Sequence, residues 1–290
     1  MRRLLFVHAH PDDETLATGV AILHHVERGD DVHVLTCTLG EEGEVIPAGL
    51  AHLEGADGDP LAEHRRGELA GATSTLGVAS HLLGADDPGG QPAYRDSGMV
   101  GSAAFGHARA FASADLDEVA TLVRATVEGI APDVVVTYDA QGGYGHPDHI
   151  RVHDAVRTAM AQMPSAPPLF VTLTPRSWAV EDRAWLASHL PSGTGYAVPS
   201  PSDPYPPSVV DDDLVTHAVV DPTVVERQQE ALRSHETQVV VGEGWFALSN
   251  DVASRLPGRE GYALLDPATG ALAPSAGAGD RRPGLLGAGA

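Results

Sequence analysis

Short apolar runs alternate with helical patterns through more than half of the chain, and this alternation constrains the fold more than any other feature. The run RLLFVHA is followed by Leu16, Val20 and Leu23 at helical spacing, a glycine stop and the run DVHVLTC. Helical patterns after Pro60 and over 116–128 lead in the same way to the runs SHLLG and PDVVVTYD. We therefore predict an α/β fold, with a Rossmann-like, mostly parallel sheet and helices on both of its faces.

The sequence changes character after residue 190. Prolines are frequent from 191 to 211 and predict a long loop, and the run LVTHAVV beyond it alternates like a half-exposed strand. Asp221 and Pro222 then indicate a helix start, as a cap and a first helical residue. We predict three parts: a Rossmann-like catalytic domain over 1–190, an α+β portion over 191–266 that packs on the sheet and contributes to the rim of the site, and a poorly ordered, low-complexity tail over 267–290.

Composition excludes several classes of partner. The 290 residues carry a formal net charge of −22, and the 18 basic residues are all arginine. Such a chain has little affinity for nucleic-acid phosphates or anionic membranes, so we predict a small neutral or cationic partner. The single cysteine, Cys37, excludes an internal disulfide framework, and no run approaches the ~20 apolar residues of a membrane span. Because the apolar run at the N-terminus is also too short for a signal peptide, we predict a cytoplasmic protein.

Two clusters of histidine and aspartate follow predicted strands: VHAHPDDE at residues 7–14 and GGYGHPDH at 142–149. Ligands of an open parallel sheet bind beyond the carboxyl ends of its strands, so both clusters can face one crevice. Histidine nitrogen and aspartate oxygen suit zinc, and a catalytic zinc takes three protein ligands with one position left open. His10 and Asp13, three residues apart, supply two of these ligands, and we predict His149 as the third.

Other interpretations stay open at this point. Aspartates before a helix commonly cap it, although a cap does not explain why the motif HPD occurs twice. His153 is a rival third ligand, because His149 and His153 have the spacing that places two imidazoles on one helical face. His8 fits a hydrogen-bonded packing residue. A nucleotide-binding Rossmann-like module would need a glycine-rich turn where this chain has acids, and a purely structural metal site would usually have four, mostly thiolate ligands.

Arg65 is a candidate for a role at the site. It is four residues from both Leu61 and Leu69 and so shares their inward face, where a guanidinium must be paired or reach a site. A buried structural ion pair is the alternative role for Arg65.

These motifs resemble those of a known family, the LmbE/PIG-L-type zinc-dependent sugar N-deacetylases, in which HPDDE follows the first strand and HPDH follows a later one. The segments VHVLTCTLGEEGEV, YRDSGM and HETQVVVG are similar to the branch that deacetylates N-acetylglucosaminyl-inositol in mycothiol biosynthesis. The resemblance covers most of residues 1–160 and resumes near 225–250. It implies a hydrolase with one zinc ion per subunit, for which ferrous iron is an alternative, and a sugar-inositol substrate. The oligomeric state stays open.

The resemblance implies roles for individual residues, and amide hydrolysis needs the same parts: an activated water, a polarised carbonyl and a proton for the leaving amine. The implied metal ligands are His10, Asp13 and His149. The resemblance implies Asp12 as general base and His146 as general acid or charged oxyanion stabiliser. It also implies Tyr144 as a further hydrogen-bond donor from a glycine-rich loop, and Asp148 as the group that orients His146 or a zinc-bound imidazole. The implied substrate-binding residues are Arg65, Asp96 in YRDSGM and Glu44 in GEEGEV, although Glu44 also fits a solvated loop.

Two related functions stay open as alternatives. One is the amidase that cleaves mycothiol S-conjugates, whose motif GGYPHPDH has proline where this chain has Gly145. The other is deacetylation of a different N-acetylglucosamine conjugate.

Overall fold

The computed structural model describes residues 1–85, 89–274 and 281–286. Its helices are α1 (Asp13–Glu27), α2 (Pro60–Leu76), α3 (Leu116–Ile130), α4 (Gly142–Gly145), α5 (Pro147–Ala161), α6 (Arg176–His189) and α7 (Val225–Leu232). Its strands are β1 (Arg3–His8), β2 (Asp31–Thr36), β3 (Ala79–Leu82), β4 (Val134–Tyr138), β5 (Leu169–Thr172), β6 (Thr174–Pro175), β7 (Val209–Val210), β8 (His217–Val220), β9 (Val240–Val241), β10 (Trp245–Ala247), β11 (Ala253–Arg255), β12 (Arg259–Leu265) and β13 (Arg282–Pro283). None of the helices within these ranges is long and apolar enough to cross a membrane.

Eight of these strands form one sheet, in the order β13-β8-β12-β5-β4-β1-β2-β3. Neighbouring strands run parallel except at β12, which is antiparallel to both β5 and β8. The strand β1 is paired on both sides, with Leu4 opposite Val32 of β2 and Val134 of β4. The predicted α/β fold with a mostly parallel sheet is confirmed.

Helices cover both faces of the sheet because the side chains of β1 alternate between two cores. Leu5 and Val7 belong to a core that contains apolar residues of α3 and α5. Leu4 and Phe6 belong to a second core, with apolar residues of α1 and α7. All four side chains are fully buried, and burial of each contributes roughly 1.5–3 kcal/mol to stability. This packing fixes β1 firmly and so fixes the position of the residues that follow it.

The C-terminal part of the chain contributes to the same sheet. Residues 191–266 supply β8 and β12 to the main sheet, and β9, β10 and β11 to a small antiparallel one. The expected helix start is present: Asp221 accepts a hydrogen bond from the Thr223 N–H at 3.2 Å, and a short 3-10 turn leads into α7. The proposed domain boundary at residue 190 stays a prediction.

Two parts of the predicted tail pair with the rest of the chain. Leu272 forms an isolated antiparallel bridge with Leu265. Residues 282 and 283 form β13, which pairs in parallel with β8 at the edge of the sheet. Residues 275–280 and 287–290 of the predicted tail lie outside the described residues. The segment 191–211, predicted to be a long loop, contains no helix but includes the two-residue strand β7, which pairs with β6. It reaches the second motif, where the Ser208 N–H donates to the Gly143 carbonyl oxygen at 3.0 Å.

Candidate active site

The first cluster follows β1 at the carboxyl edge of the sheet. The Ala9 N–H donates to the Tyr138 hydroxyl at 2.9 Å, which connects the end of β1 to the end of β4. Asp13 is the first residue of α1, and its Oδ2 accepts a hydrogen bond from the His10 N–H at 2.9 Å. The chain therefore turns sharply between residues 10 and 13, and His10 and Asp13 face the same side, as their spacing predicts.

The second cluster follows β4. Directly after this strand, the carboxylate of Asp139 accepts hydrogen bonds from the N–H groups of Gln141 at 2.7 Å and Gly143 at 2.9 Å, which shapes the glycine-rich turn. The helix α5 comes next and is capped by His146, whose Nδ1 accepts a hydrogen bond from the Asp148 N–H at 3.2 Å. The first turn of α5 thereby lies against the first cluster.

Three possible metal-ligand atoms from the two clusters form an equilateral triangle. His10 Nδ1 is 3.3 Å from Asp13 Oδ2 and 3.3 Å from His149 Nε2, and the latter two atoms are also 3.3 Å apart. Two ligands at a tetrahedral angle on zinc stand about 3.4 Å apart when each bond is about 2.1 Å. These residues therefore fit a divalent metal ion. A cap alone does not explain the first motif, since Asp12 precedes α1 without a side-chain hydrogen bond to it.

Acidic side chains surround His10. Asp148 Oδ2 lies 3.2 Å and Asp96 Oδ1 lies 3.5 Å from its Nε2. Burial alone would lower the pKa of His10, but Asp96, Asp13 and Asp148 hold it well above its usual value. Surroundings that stabilise a positive charge on a buried imidazole also favour a bound cation, and they would repel the pyrophosphate of a nucleotide.

Two other sets of possible ligand atoms also include His10. His10 lies with His146 and His149, and also with Asp96 and Asp148, in groups whose ligand atoms are all within 4.8 Å of one another. Neither group contains Asp13 or the rival ligand His153. Asp13, however, has an oxygen 3.3 Å from both His10 and His149. The Nδ1 of His153 is hydrogen-bonded to the carbonyl oxygen of Tyr138, the last residue of β4, at 2.9 Å.

Asp12 stands next to the triangle in an unusual backbone conformation, with φ 104°. Arg65 Nη2 donates to its Oδ2 at 3.2 Å, whereas Oδ1 accepts no hydrogen bond from any residue that the structure describes. Burial raises the pKa of Asp12 to about 7 against the opposing charge of Arg65, and Asp13 adds to the rise. The carboxylate therefore has one oxygen free and a proton affinity that suits a general base near neutral pH.

Asp148 supports two histidines at once. It is fully buried, and its Oδ2 faces His10 Nε2 while it accepts a hydrogen bond from the Ser97 N–H at 2.9 Å. Its own N–H donates to His146 Nδ1. The carboxylate thus orients a histidine of the triangle, and the backbone orients His146. Ser97 is not among the predicted site residues, although it belongs to the YRDSGM segment that carries the family resemblance.

His146 is a neutral hydrogen-bond donor in this arrangement. Its ring centroid is 4.7 Å from that of His10 and 5.0 Å from that of His149. Because Nδ1 accepts a hydrogen bond from a backbone N–H, the proton of the neutral ring lies on Nε2. Burial, together with the charges of His10 and His149, lowers the pKa of His146 to about 3. The two roles implied for it, general acid and charged oxyanion stabiliser, stay predictions.

Tyr144 lies at the mouth of the site. Its side chain is 56% exposed, and its ring makes edge contacts with His146 and His149, at centroid distances of 6.0 and 5.2 Å. It follows Gly142 and Gly143, which both have positive φ. This position places the ring beside two histidines of the site.

Arg65 is buried, as its leucine neighbours predict, and only 3% exposed. Besides Asp12, its guanidinium donates to the carbonyl oxygens of Pro11 at 2.5 Å and Gly40 at 2.8 Å. These contacts are those of a buried ion pair that supports the first motif. A contact between Arg65 and sugar hydroxyls stays a prediction.

The other two predicted substrate residues differ in exposure. Asp96 is buried, and its carboxylate accepts hydrogen bonds from the N–H groups of Gly98 at 2.8 Å and Glu42 at 3.2 Å. Glu44 is exposed and makes no hydrogen bond or ion pair within the described ranges. Glu41, which the sequence did not single out, is buried and accepts a hydrogen bond from the Asp96 N–H at 2.9 Å.

A sequence model of the PIG-L family, described as GlcNAc-PI de-N-acetylase, matches residues 5–160, which is more than half of the chain. This chain belongs to the PIG-L family. It is 44% identical over 276 residues to a Streptomyces avermitilis protein named 1D-myo-inositol 2-acetamido-2-deoxy-alpha-D-glucopyranoside deacetylase, with 91% of this chain and 92% of the relative covered. A Rhodococcus opacus protein of the same name is 44% identical over 285 residues, with 93% of each chain covered.

The fold is also shared with a solved structure. A deacetylase of the teicoplanin biosynthesis pathway superposes with a TM-score of 0.52 at 20% sequence identity, covering 91% of this chain and 99% of the other. At that identity the likeness shows the common fold and nothing about the substrate.

In this PIG-L family member, Gly142→Ala is expected to weaken metal binding by about 10- to 100-fold. A Cβ at Gly142 would lie 2.7 Å from His149 Cβ and 2.8 Å from the Ile150 nitrogen, so the first turn of α5 must shift and displace His149. Gly143→Ala is the matched control, because Gly143 also has positive φ but nothing within 4 Å of the added carbon. Competition with a chelating dye measures both affinities, and equal losses would assign the effect to backbone strain instead of His149.

Proposed function

We propose that this chain is a metal-dependent hydrolase that removes the acetyl group from N-acetylglucosaminyl-inositol, giving glucosaminyl-inositol and acetate, in mycothiol biosynthesis. The observation that carries the proposal is the 3.3 Å triangle of His10, Asp13 and His149 beside the free carboxylate oxygen of Asp12. The substrate follows from the names of relatives that align over more than nine-tenths of the chain.

The metal ligands in this proposal are His10, Asp13 and His149, which hold one Zn²⁺ per subunit, with Fe²⁺ as the alternative in the cell. Two imidazole nitrogens and one carboxylate oxygen suit both ions. When bound, the ion polarises the acetyl carbonyl and lowers the pKa of water. Asp148 keeps the His10 ring oriented for binding through its contact with Nε2 at 3.2 Å.

Asp12 is the general base of the reaction. Its Oδ1 takes a proton from the attacking water, while Arg65 holds Oδ2 and prevents the carboxylate from turning. The proton that Asp12 has taken then passes to the nitrogen that leaves as the amine, which balances the hydrolysis. The raised pKa of Asp12, about 7, allows this group to both accept and return a proton near neutral pH.

His146 and Tyr144 stabilise the negative charge that develops on the amide oxygen. His146 donates through Nε2–H, since its Nδ1 is occupied by the Asp148 N–H. Tyr144 adds its hydroxyl as a second donor when substrate covers the mouth of the site. Its exposure and its position on a glycine-rich turn support such a movement.

The predicted substrate contacts divide into two kinds. Arg65 and Asp96 are buried and already bound to protein groups. These contacts support an indirect role, in which Arg65 acts through Asp12 and Asp96 acts through His10. Glu44 is exposed and has a free carboxylate, which supports the prediction that it accepts hydrogen bonds from inositol hydroxyls.

The partner in this proposal is a small neutral sugar conjugate. A neutral substrate agrees with a chain of net charge −22, which would repel polyanions. We place the enzyme in the cytoplasm and expect neither a nucleic-acid nor a membrane partner. The contact of Ser208 with Gly143 supports a contribution of the 191–266 portion to the rim of the site.

The test is a comparison of substrates by mass spectrometry. Zinc-loaded and iron-loaded protein is incubated with N-acetylglucosaminyl-inositol, with a simple N-acetylglucosamine glycoside and with a mycothiol S-conjugate. We expect kcat/KM to be highest for the inositol conjugate, by at least roughly tenfold, because its second ring offers additional contacts. Preferential cleavage of the S-conjugate would make the chain an amidase instead.

A further inference from the structure

Asp12 is unusual even among the described non-glycine residues with positive φ. Its φ is 104°, whereas Asp59, Ala131 and Asp251 have φ between 52° and 56°, in the left-handed helical region. A side chain at φ 104° is strained, and such strain persists only where the surrounding structure holds it. The groups that hold this turn therefore decide where the Asp12 carboxylate lies.

Glu14 holds the N–H side of the turn. Its Oε2 accepts a hydrogen bond from the Asp12 N–H at 3.0 Å. Its Oε1 accepts one from the Thr15 hydroxyl at 2.5 Å and lies 2.9 Å from His235 Nε2. Both Glu14 and His235 are fully buried, and they pair the first turn of α1 with the segment that follows α7.

Stability alone is a weak reason for such a pair. Two buried ionisable groups lose their hydration, and an apolar pair of similar volume is often equally stable. The pair differs from an apolar one in what it fixes, since the Glu14 side chain has an oxygen that accepts the Asp12 N–H and an apolar side chain has none. On the opposite side, Arg65 binds the Pro11 carbonyl oxygen and Asp12 Oδ2. The polar atoms of Asp12 are thus held from both sides, and Oδ1 is the oxygen left for chemistry.

We propose that Glu14, anchored by His235, is a positioning residue that holds the Asp12 backbone in the conformation from which Oδ1 acts as the base. The inference rests on the proposed function, in which Asp12 is that base. His235 lies beyond residues 5–160, the range that the family model matches. The C-terminal part of the chain thereby takes part in catalysis through the Glu14 contact.

Two substitutions of Glu14 separate positioning from stability. Both Glu14→Leu and Glu14→Gln break the ion pair with His235, but the glutamine carbonyl can still accept the Asp12 N–H hydrogen bond. With zinc-loaded enzyme and N-acetylglucosaminyl-inositol, we expect Glu14→Leu to lose about 10²-fold in kcat at unchanged KM and metal content. Glu14→Gln should stay within about tenfold of wild type. Equal losses in the two variants would overturn the proposal.

A double variant keeps the test valid if Glu14→Leu does not fold. Glu14→Leu combined with His235→Leu replaces both ionisable groups by apolar ones, so the double variant should recover the stability that Glu14→Leu loses by leaving His235 unpaired, while kcat falls as in the single variant. Glu260→Leu is the matched control, because the Glu260 carboxylate accepts hydrogen bonds from Val20 and Ala21 N–H in the same helix. It should lower the melting temperature and leave kcat unchanged. A stable, fully active double variant contradicts the positioning role.

Amide hydrogen exchange at residue 12 gives a readout that needs no substrate. NMR of the zinc-loaded protein should show exchange at least about tenfold faster in Glu14→Leu and in the double variant, and unchanged in Glu14→Gln and Glu260→Leu. Failure of the wild-type enzyme to deacetylate any conjugate would refute the proposed function. Unaltered exchange at residue 12 in Glu14→Leu would refute the positioning role independently.

Discussion

Replacing His10, Asp13 or His149 by alanine is expected to remove tightly bound divalent metal from the protein and to abolish deacetylation. Each change removes one corner of the 3.3 Å triangle. The loss of affinity should exceed the roughly 10- to 100-fold that follows from disturbing an outer partner such as Asp148, because only two ligands remain. Metal content per subunit after dialysis against a chelator measures the effect, with about one equivalent expected in wild type.

His153→Ala is the matched control for these variants, since it removes a buried imidazole from the same helix as His149. His153 Nδ1 is bonded to the Tyr138 carbonyl oxygen, so its loss should lower stability but leave the metal in place. A protein that loses its metal on His153→Ala and keeps it on His149→Ala would show that the ligand assignment is wrong.

The parallel part of the fold is predictable from the sequence because its strands are buried on both faces. Continuous apolar runs such as 4–7 and 134–136 are typical of such strands, and helical patterns separate them. The strand β12 gives no comparable signal, since it begins with Arg259, Glu260 and Gly261. Its place between β5 and β8 depends on long-range pairing, which no local pattern encodes. The two-residue strand β13 escapes prediction for the same reason.

The convergence of the two HPD motifs is predictable because parallel strands bring their carboxyl ends to one edge of the sheet. Side-chain orientation is not. The pattern shows that Arg65 faces inward, but its partners depend on where the backbone turns at residues 11 and 40. In the same way, Glu14 lies inside the quoted motif HPDDE, yet nothing local connects it to His235, 221 residues away. The strained φ of Asp12 follows from these distant contacts.

Changing Asp12 to asparagine is expected to lower kcat by about 10²- to 10⁴-fold, the usual scale for a positioned proton-transfer group, while the metal content stays unchanged. Asparagine has the size of aspartate and can still accept the hydrogen bond from Arg65 Nη2, so the turn keeps its support. An amide oxygen cannot take a proton from water at neutral pH. KM should change little, because the interaction that is lost belongs to the chemical step.

Asp182→Asn is the matched control, because Asp182 also binds arginine side chains, those of Arg255 and Arg259, but does so on α6. It should keep kcat near that of wild type, so a loss confined to Asp12→Asn cannot come from breaking a carboxylate–arginine pair. Near-wild-type turnover in Asp12→Asn would mean that another group takes the proton. A variant that loses metal and activity together would instead make Asp12 part of the metal site, whereas the proposed division of roles requires an inactive enzyme with its metal in place.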